Sequence, residues 1–301
     1  MLDQPAAATI TEMRASPPSM SGATRLAPNQ FLAGRYRIQR FIAGGGMGEV
    51  YEARDDVLNE HVALKLLRPE LLEKPSAQAR FVEEIRLARK ITHPNVCRVF
   101  DVSIDGDRLF FTMQLHEGST LAGWLRDRGP AHLDELRPIV TQALAGVAAA
   151  HDANVIHADL KPSNLLLTGT GGDRIVVSDF GLAVPCCAEL ACHCDMAHLL
   201  GTPAYMAPEQ IGGGCAQEQT DVYAFGVVLF QMVTGTLPFQ GTTPHELAQA
   251  RLAVDAPAPR TLRPDLEPRW NELIRACLAR NPCDRPPDAR AVARALDLAT
   301  D

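Results

Sequence analysis

No stretch of this chain stays apolar for the ~18 residues that a membrane span requires, so no spanning helix is expected. The opening M-L-D-Q-P-A-A-A lacks a basic segment followed by a long apolar one, and no secretory leader is expected either. Positive charge is scarce: 29 Lys and Arg against 36 Asp and Glu leave a net charge of −7. That balance argues against a basic nucleic-acid surface as the main function. Internal repeats are absent. Eight cysteines without a leader point to free thiols in a reducing compartment, hence a cytoplasmic location. What is present is 46% hydrophobic and 22% charged over 301 residues, the composition of a folded chain with one large two-lobed domain or two small ones.

Residues 1 to about 30 are rich in Ala, Ser, Thr, Pro and Met without apolar periodicity, and the expected disordered tail runs to residue 34. From Tyr36 the alternation Y-R-I-Q-R-F-I reads as a strand. A glycine cluster (Gly44, Gly45, Gly46, Gly48) follows, then E-V-Y-E-A-R and H-V-A-L-K-L-L as two more strands. Residues 76–91 read as a helix with Phe81, Ile85 and Ala88 on one face, and short strands fit near 97–103 and 109–115. After Gly118 the pattern turns helical. Leu136, Val140, Ala143, Leu144 and Val147 recur at helix spacing, with Pro138 early in that segment. Residues 221–233 are apolar on nearly every side, as in a buried helix, and helices follow near 268–279 and 288–298. The expected fold is α+β with two lobes: a small β-rich lobe over residues 35–115 and a larger helical lobe over 116–297.

A-G-G-G-M-G-E-V-Y is a hairpin tip between two strands, where glycine allows backbone N–H groups to approach phosphate oxygens. It is not a P-loop, because no Lys-Ser or Lys-Thr follows. Lys65 sits among apolar neighbours on a strand, and a buried ammonium calls for a carboxylate. Glu84 on the helix is the candidate. In N-V-I-H-A-D-L-K-P-S-N, Asp159 can accept a proton and Lys161 can neutralise phosphoryl charge. Asn164 there, and Asp179 of V-V-S-D-F-G, offer hard oxygens to Mg²⁺. Each signal alone is weak, because Asp and Asn on loops are usually turn residues.

Their order is not weak. Glycine loop, V-A-L-K, H-x-D-x-K-x-x-N, D-F-G and A-P-E at 207–209 occur in succession. H-P-N-V, G-T-P-A-Y-M-A-P-E-Q, D-V-Y-A-F-G, L-P-F and R-N-P-C-D-R-P accompany them. Over residues 35–297 the chain resembles a eukaryotic-like Ser/Thr protein kinase of the bacterial type.

The resemblance implies ATP as phosphate donor with Mg²⁺, or Mn²⁺ in its place, and protein Ser/Thr hydroxyls as acceptors. It implies that Ala43, Gly45, Gly48, Val50, Ala63 and Leu166 surround the nucleotide and that Met113 gates the adenine pocket. Gln114 to His116 would form the hinge. Lys65 would hold the α and β phosphates and pair with Glu84. Asp159 would be the base, Lys161 would sit near the γ-phosphate, and Asn164 and Asp179 would hold the metal. Glu209 and Arg285 would anchor the peptide-binding region, and Asp221 would orient the catalytic loop. Lys161 and Thr202 match the Ser/Thr branch. Because all five of Lys65, Glu84, Asp159, Asn164 and Asp179 are retained, catalysis is favoured over the alternative, a nucleotide-binding pseudokinase scaffold. Self-association for autophosphorylation, on tail hydroxyls such as Thr9 or Ser16, is a further expectation resting only on their number and flexibility.

Two positions depart from the pattern. Ala43 replaces the first loop glycine, harmlessly unless φ > 0 is required there. Ala158 replaces an Arg that in such kinases grips a phosphate on the activation loop. From Leu182 to Leu200 there is no Ser, Thr or Tyr. Both the reader and the carrier of a loop phosphate are missing, which implies activity independent of activation-loop phosphorylation. The same loop crowds Cys186, Cys187, Cys192, His193 and Cys194 together, with His198 near. Drift of thiols into a tolerant loop, a Zn²⁺ site and a redox switch all remain open for it.

Overall fold

The computed structural model describes residues 25–46, 48–72, 75–180 and 203–298. The cysteine-rich loop with Cys186, Cys187, Cys192 and Cys194, together with Thr202 and the hydroxyls of the first 24 residues, lies outside them.

The first lobe is an antiparallel sheet in the order β1-β2-β3-β4-β6-β5. Its strands are β1 (Phe31–Leu32), β2 (Tyr36–Gly45), β3 (Gly48–Asp55), β4 (Glu60–Leu67), β5 (Val99–Asp105) and β6 (Arg108–Gln114). Period-two alternation gives the sheet two faces. Val62 and Leu64 join Tyr36, Ile38, Tyr51 and Phe110 on one side. Ala63 and Leu67 face the other, against Phe81 and Ile85 of helix α1 (Pro75–Ala88). Lys65 shares parity with Ala63 and Leu67, so the strand itself delivers its ammonium to the helix-facing side.

The lobe begins earlier than the sequence suggests. Residues 25–34, assigned to the tail, include β1 and a buried Leu26 whose N–H donates to the Tyr51 hydroxyl at 3.1 Å. One apolar residue plugging a sheet end leaves no periodic trace, which is why the pattern did not reveal it.

The second lobe is built on α3 (Leu133–Asp152) and α5 (Glu218–Thr234), with α2 (Leu121–Arg128), α4 (Pro208–Ile211), α6 (Pro244–Ala253), α7 (Pro268–Cys277) and α8 (Ala289–Ala295) around them. Helix α5 is buried on nearly all sides, from Val222 to Val233. It is the hub of the core, each such Val or Leu contributing about 1.5–3 kcal/mol on burial. Pro138 lies within α3 and not in its first turn, so one helical hydrogen bond is forgone. No described helix is long and apolar enough to cross a membrane.

A second sheet, β7-β8-β9 (Gly118–Thr120, Leu165–Thr168, Arg174–Val177), has no counterpart in the sequence reading. Its strands are three and four residues long, too short for an alternation signal. It matters because β8 begins where H-A-D-L-K-P-S-N ends, and β9 ends where D-F-G begins. Pairing of Leu165 with Val177 therefore brings both loops to one edge. Asn95 of H-P-N-V locks this sheet to α3: its amide donates to Ile175 O at 2.7 Å and to Gln142 Oε1 at 3.0 Å.

Candidate active site

Asp159, Lys161 and Asn164 sit on the loop between α3 and β8. Lys161 Nζ lies 2.6 Å from Asp159 Oδ2, and Asn164 Nδ2 donates to the Asp159 carbonyl at 2.9 Å. With its amide nitrogen turned to the loop backbone, the Asn164 side chain has its oxygen approached only by the Ser163 hydroxyl, at 3.4 Å, among the described residues. Asp179 joins them from the end of β9. The Ser178 N–H and hydroxyl both bond the Asn164 carbonyl, at 2.8 and 3.2 Å, which ties the two loops together.

Lys65 reaches Asp179 across the lobes, Nζ to Oδ1 at 2.7 Å. Asp179 is thus a carboxylate partner of this buried ammonium. The side chain of Glu84, the candidate from the sequence, lies outside the described residues. Burial alone would raise the Asp179 pKa. The Lys65 ammonium outweighs it, and the carboxyl is held below the ordinary range.

Two non-glycine residues here adopt left-handed backbone: Ala158 at φ 61° and Asp179 at φ 51°. Such conformations cost on the order of 1–3 kcal/mol each and persist only where surroundings enforce them. Around Ala158 the enforcement is visible. Asp221, wholly buried on α5, accepts the Ala158 N–H at 2.8 Å and the His157 N–H at 2.8 Å, and lies 2.9 Å from His151 Nε2. The His157 ring packs on Phe180, centroids 4.8 Å apart.

The residues assigned to a nucleotide by sequence gather beneath the glycine hairpin. Ala63 and Met113 are register partners on β4 and β6, and Val50 and Leu166 complete one apolar cluster with them. Ala43 pairs with Val50 across β2 and β3, with φ outside the left-handed region, so alanine costs nothing there. The loop glycines have different reasons. A Cβ on Gly45 would meet open space, leaving its backbone approachable, whereas a Cβ on Gly48 would lie 2.1 Å from Leu66 O. Gly48 is thus needed by strand packing as well as by any phosphate. Cys97, behind Met113, is buried, and burial followed by the nearby Asp179 charge pushes its thiol pKa up to about 12. Gln114 and His116 occupy the strip joining the lobes, and burial lowers the pKa of His116.

The donor set fits a divalent cation of the Mg²⁺ type, which takes oxygen ligands: one carboxylate and one amide oxygen at adjoining loop ends. Among the described residues no cluster of three or more His, Cys, Asp or Glu could hold a metal ion on its own. Mg²⁺ shared with phosphates needs no such cluster.

Glu209 and Arg285 meet in a bidentate pair. Two supports gave no sequence signal. Arg251 of α6 is buried and donates to Met206 O at 3.2 Å, beneath the segment that precedes A-P-E. Gln210 touches the catalytic loop itself. Arg on an exposed-looking helix and Gln after A-P-E are both ordinary surface residues by pattern, and only the fold turns them inward.

Residues 36–295 match the family model described as the protein kinase domain. The chain belongs to the protein kinase family. This kinase domain is 34% identical over 254 residues to the serine/threonine-protein kinase PrkC of Bacillus subtilis, covering 84% of the chain and 39% of PrkC. It is 36% identical over 273 residues to the serine/threonine-protein kinase pkn3 of Myxococcus xanthus, covering 86% and 49%. The chain thus spans half or less of those relatives' lengths. The crystal structure of the Mycobacterium tuberculosis PknI kinase domain superposes with a TM-score of 0.72 at 27% identity, over 91% of this chain and 99% of that one. The two-lobed α+β architecture expected from sequence is the architecture of this family.

Proposed function

We propose that this kinase domain is catalytically active and transfers the γ-phosphoryl group of ATP to Ser or Thr hydroxyls of proteins, without needing a phosphate on its activation loop. The observation that carries the reading is the convergence of Asp159, Lys161, Asn164, Asp179 and Lys65, from three separated segments, through contacts of 2.6–2.9 Å. Asp159 Oδ accepts the proton of the attacking hydroxyl. Lys161, already against that carboxylate, places positive charge where the phosphoryl group passes. Lys65 faces the α and β phosphates beneath the glycine hairpin. Asn164 and Asp179 would hold the divalent ions, which neutralise phosphate charge when bound. The rate gain comes from positioning and charge rather than covalent chemistry.

Independence from loop phosphate rests on the catalytic loop itself. Ala158 has no side chain with which to grip a phosphate, yet its backbone is held on the hub helix by Asp221. The test is transfer from radiolabelled ATP by phosphatase-treated protein, with Mg²⁺ and a generic basic protein substrate. Label that falls by about 10²–10⁴ in Asp159→Asn supports the reading. Full loss of activity on phosphatase treatment overturns the independence. Nucleotide binding with no transfer under any condition leaves the scaffold.

A further inference from the structure

We propose that Gln210 is a positioning residue for the catalytic base, closing a clamp on the peptide unit before Asp159 that does the work of a phosphate-gripping side chain. The proposal rests on the reading of Asp159 as base. Gln210 Nε2 donates to the Ala158 carbonyl at 2.8 Å, while Gln210 Oε1 accepts the Ala207 N–H at 2.9 Å. Both ends of one side-chain amide are thereby committed, one to the catalytic loop and one to the start of α4. On the opposite side of the same residue, Asp221 accepts the Ala158 N–H.

Ala158 is thus held at its N–H by α5 and at its carbonyl by α4, in a left-handed conformation that an unsupported alanine would leave. Its own methyl takes no part. The next residue is Asp159, so the direction of the base follows from the direction of this peptide. Helix α4 is itself fixed, because Glu209, adjacent to Gln210, is bonded to Arg285 and to the Thr220 hydroxyl at 2.8 Å. Rigidity at the peptide-binding floor therefore reaches the base through a neutral amide, whose hydrogen bonds do not depend on a phosphate.

The amide geometry supplies its own test. Gln210→Met keeps the length and loses both bonds. Gln210→Glu keeps the shape, and its proton state decides the outcome. When neutral, one oxygen accepts from Ala207 and the other donates to Ala158. When ionised, an acceptor faces the carbonyl. Two measurements follow: kcat and KM for a peptide and for ATP, and hydrogen exchange of the segment 156–161 in the full chain.

The expected results are a kcat about tenfold lower in both Gln210→Met and Gln210→Glu, with KM for ATP within about twofold. Amides of Ala158 and Asp159 should exchange at least about fivefold faster in Gln210→Met. A change confined to peptide KM, or unchanged exchange, would each overturn the clamp. Exchange reads the clamp without turnover. Absence of transfer in the unaltered protein would therefore strike the reading of Asp159 as base and leave the clamp to be decided by exchange.

Discussion

Glu209 and Arg285 are 76 residues apart and meet through two parallel hydrogen bonds of 2.8 Å each, with the guanidinium wholly shielded from water. Arg285 spends its remaining donors on the carbonyls of Ala279, Gln219 and Arg280. Breaking a buried pair of this kind strands one charge, a loss of about 3–5 kcal/mol. Arg285→Met should therefore lower unfolding free energy by that order, read by urea titration.

The same pair makes stability depend on pH. Burial would raise the Glu209 pKa, but bonding to Arg285 outweighs it and the folded value lies below the ordinary one. The pair's contribution is accordingly complete above about pH 4.3, the ordinary glutamate pKa. It is lost as pH falls through the lowered folded value. The stability gap between the unaltered protein and Glu209→Gln should be widest near neutrality and shrink below about pH 4. A gap of constant size would remove Glu209 from the acid response.

Lys65 and Asp179 make a third prediction, on activity. Lys65→Met removes the ammonium that lies 2.7 Å from Asp179 and is proposed to hold the phosphates. A loss of about 10²–10³ in kcat is expected, the scale for deleting one donor to developing charge. Some loss of thermal stability should accompany it, because Lys65 is buried and its removal leaves the Asp179 charge without its partner. An activity loss that tracks a collapse of the melting temperature would mean that the lysine is structural.

Most of the first lobe was legible because its strands are seven to ten residues long and alternate. Tyr36–Gly45, Gly48–Asp55 and Glu60–Leu67 fall within about three residues of their sequence readings at each end. The catalytic loop was legible through residue order, as no periodicity marks it. What escaped has a common cause. Leu26, the β7-β8-β9 sheet, the Lys65–Asp179 contact and Gln210 all owe their roles to partners at least 25 residues away along the chain or to elements of three or four residues. Local pattern carries no record of either.

Thiol chemistry should divide along burial. Cys97 and Cys277 are enclosed, and burial pushes both thiols up to about 12, so they are protonated and shielded at neutral pH. Cys283 is exposed. Iodoacetamide labelling of native protein, located by peptide mass spectrometry, should mark Cys283 within minutes and spare Cys97 and Cys277 until denaturant is added. Early labelling of Cys97 would show that the apolar cluster it shares with Met113 opens in the native state.

One chemical change should act in opposite senses at two helical glycines. Replacing glycine by alanine inside a helix favours folding by about 1 kcal/mol through backbone entropy, if the methyl has room. At Gly123 of α2 the new carbon would meet the Thr120 and Arg126 side chains at 3.6 and 3.7 Å, ordinary contact distances. At Gly146 of α3 it would lie 2.5 Å from Asn95 O and 2.8 Å from Val177 Cγ2. That carbonyl accepts the Val177 N–H at 2.8 Å, so it cannot retreat without opening the link between H-P-N-V and the sheet edge bearing Asp179. Overpacking of this kind costs about 1–3 kcal/mol, which exceeds the entropic gain. Gly123→Ala should raise the melting temperature by about 2–4 °C per kcal/mol gained. Gly146→Ala should lower it and reduce phosphotransfer as well, because the displaced strand leads into Asp179. Equal shifts of the same sign would mean that α3 slides freely over Asn95.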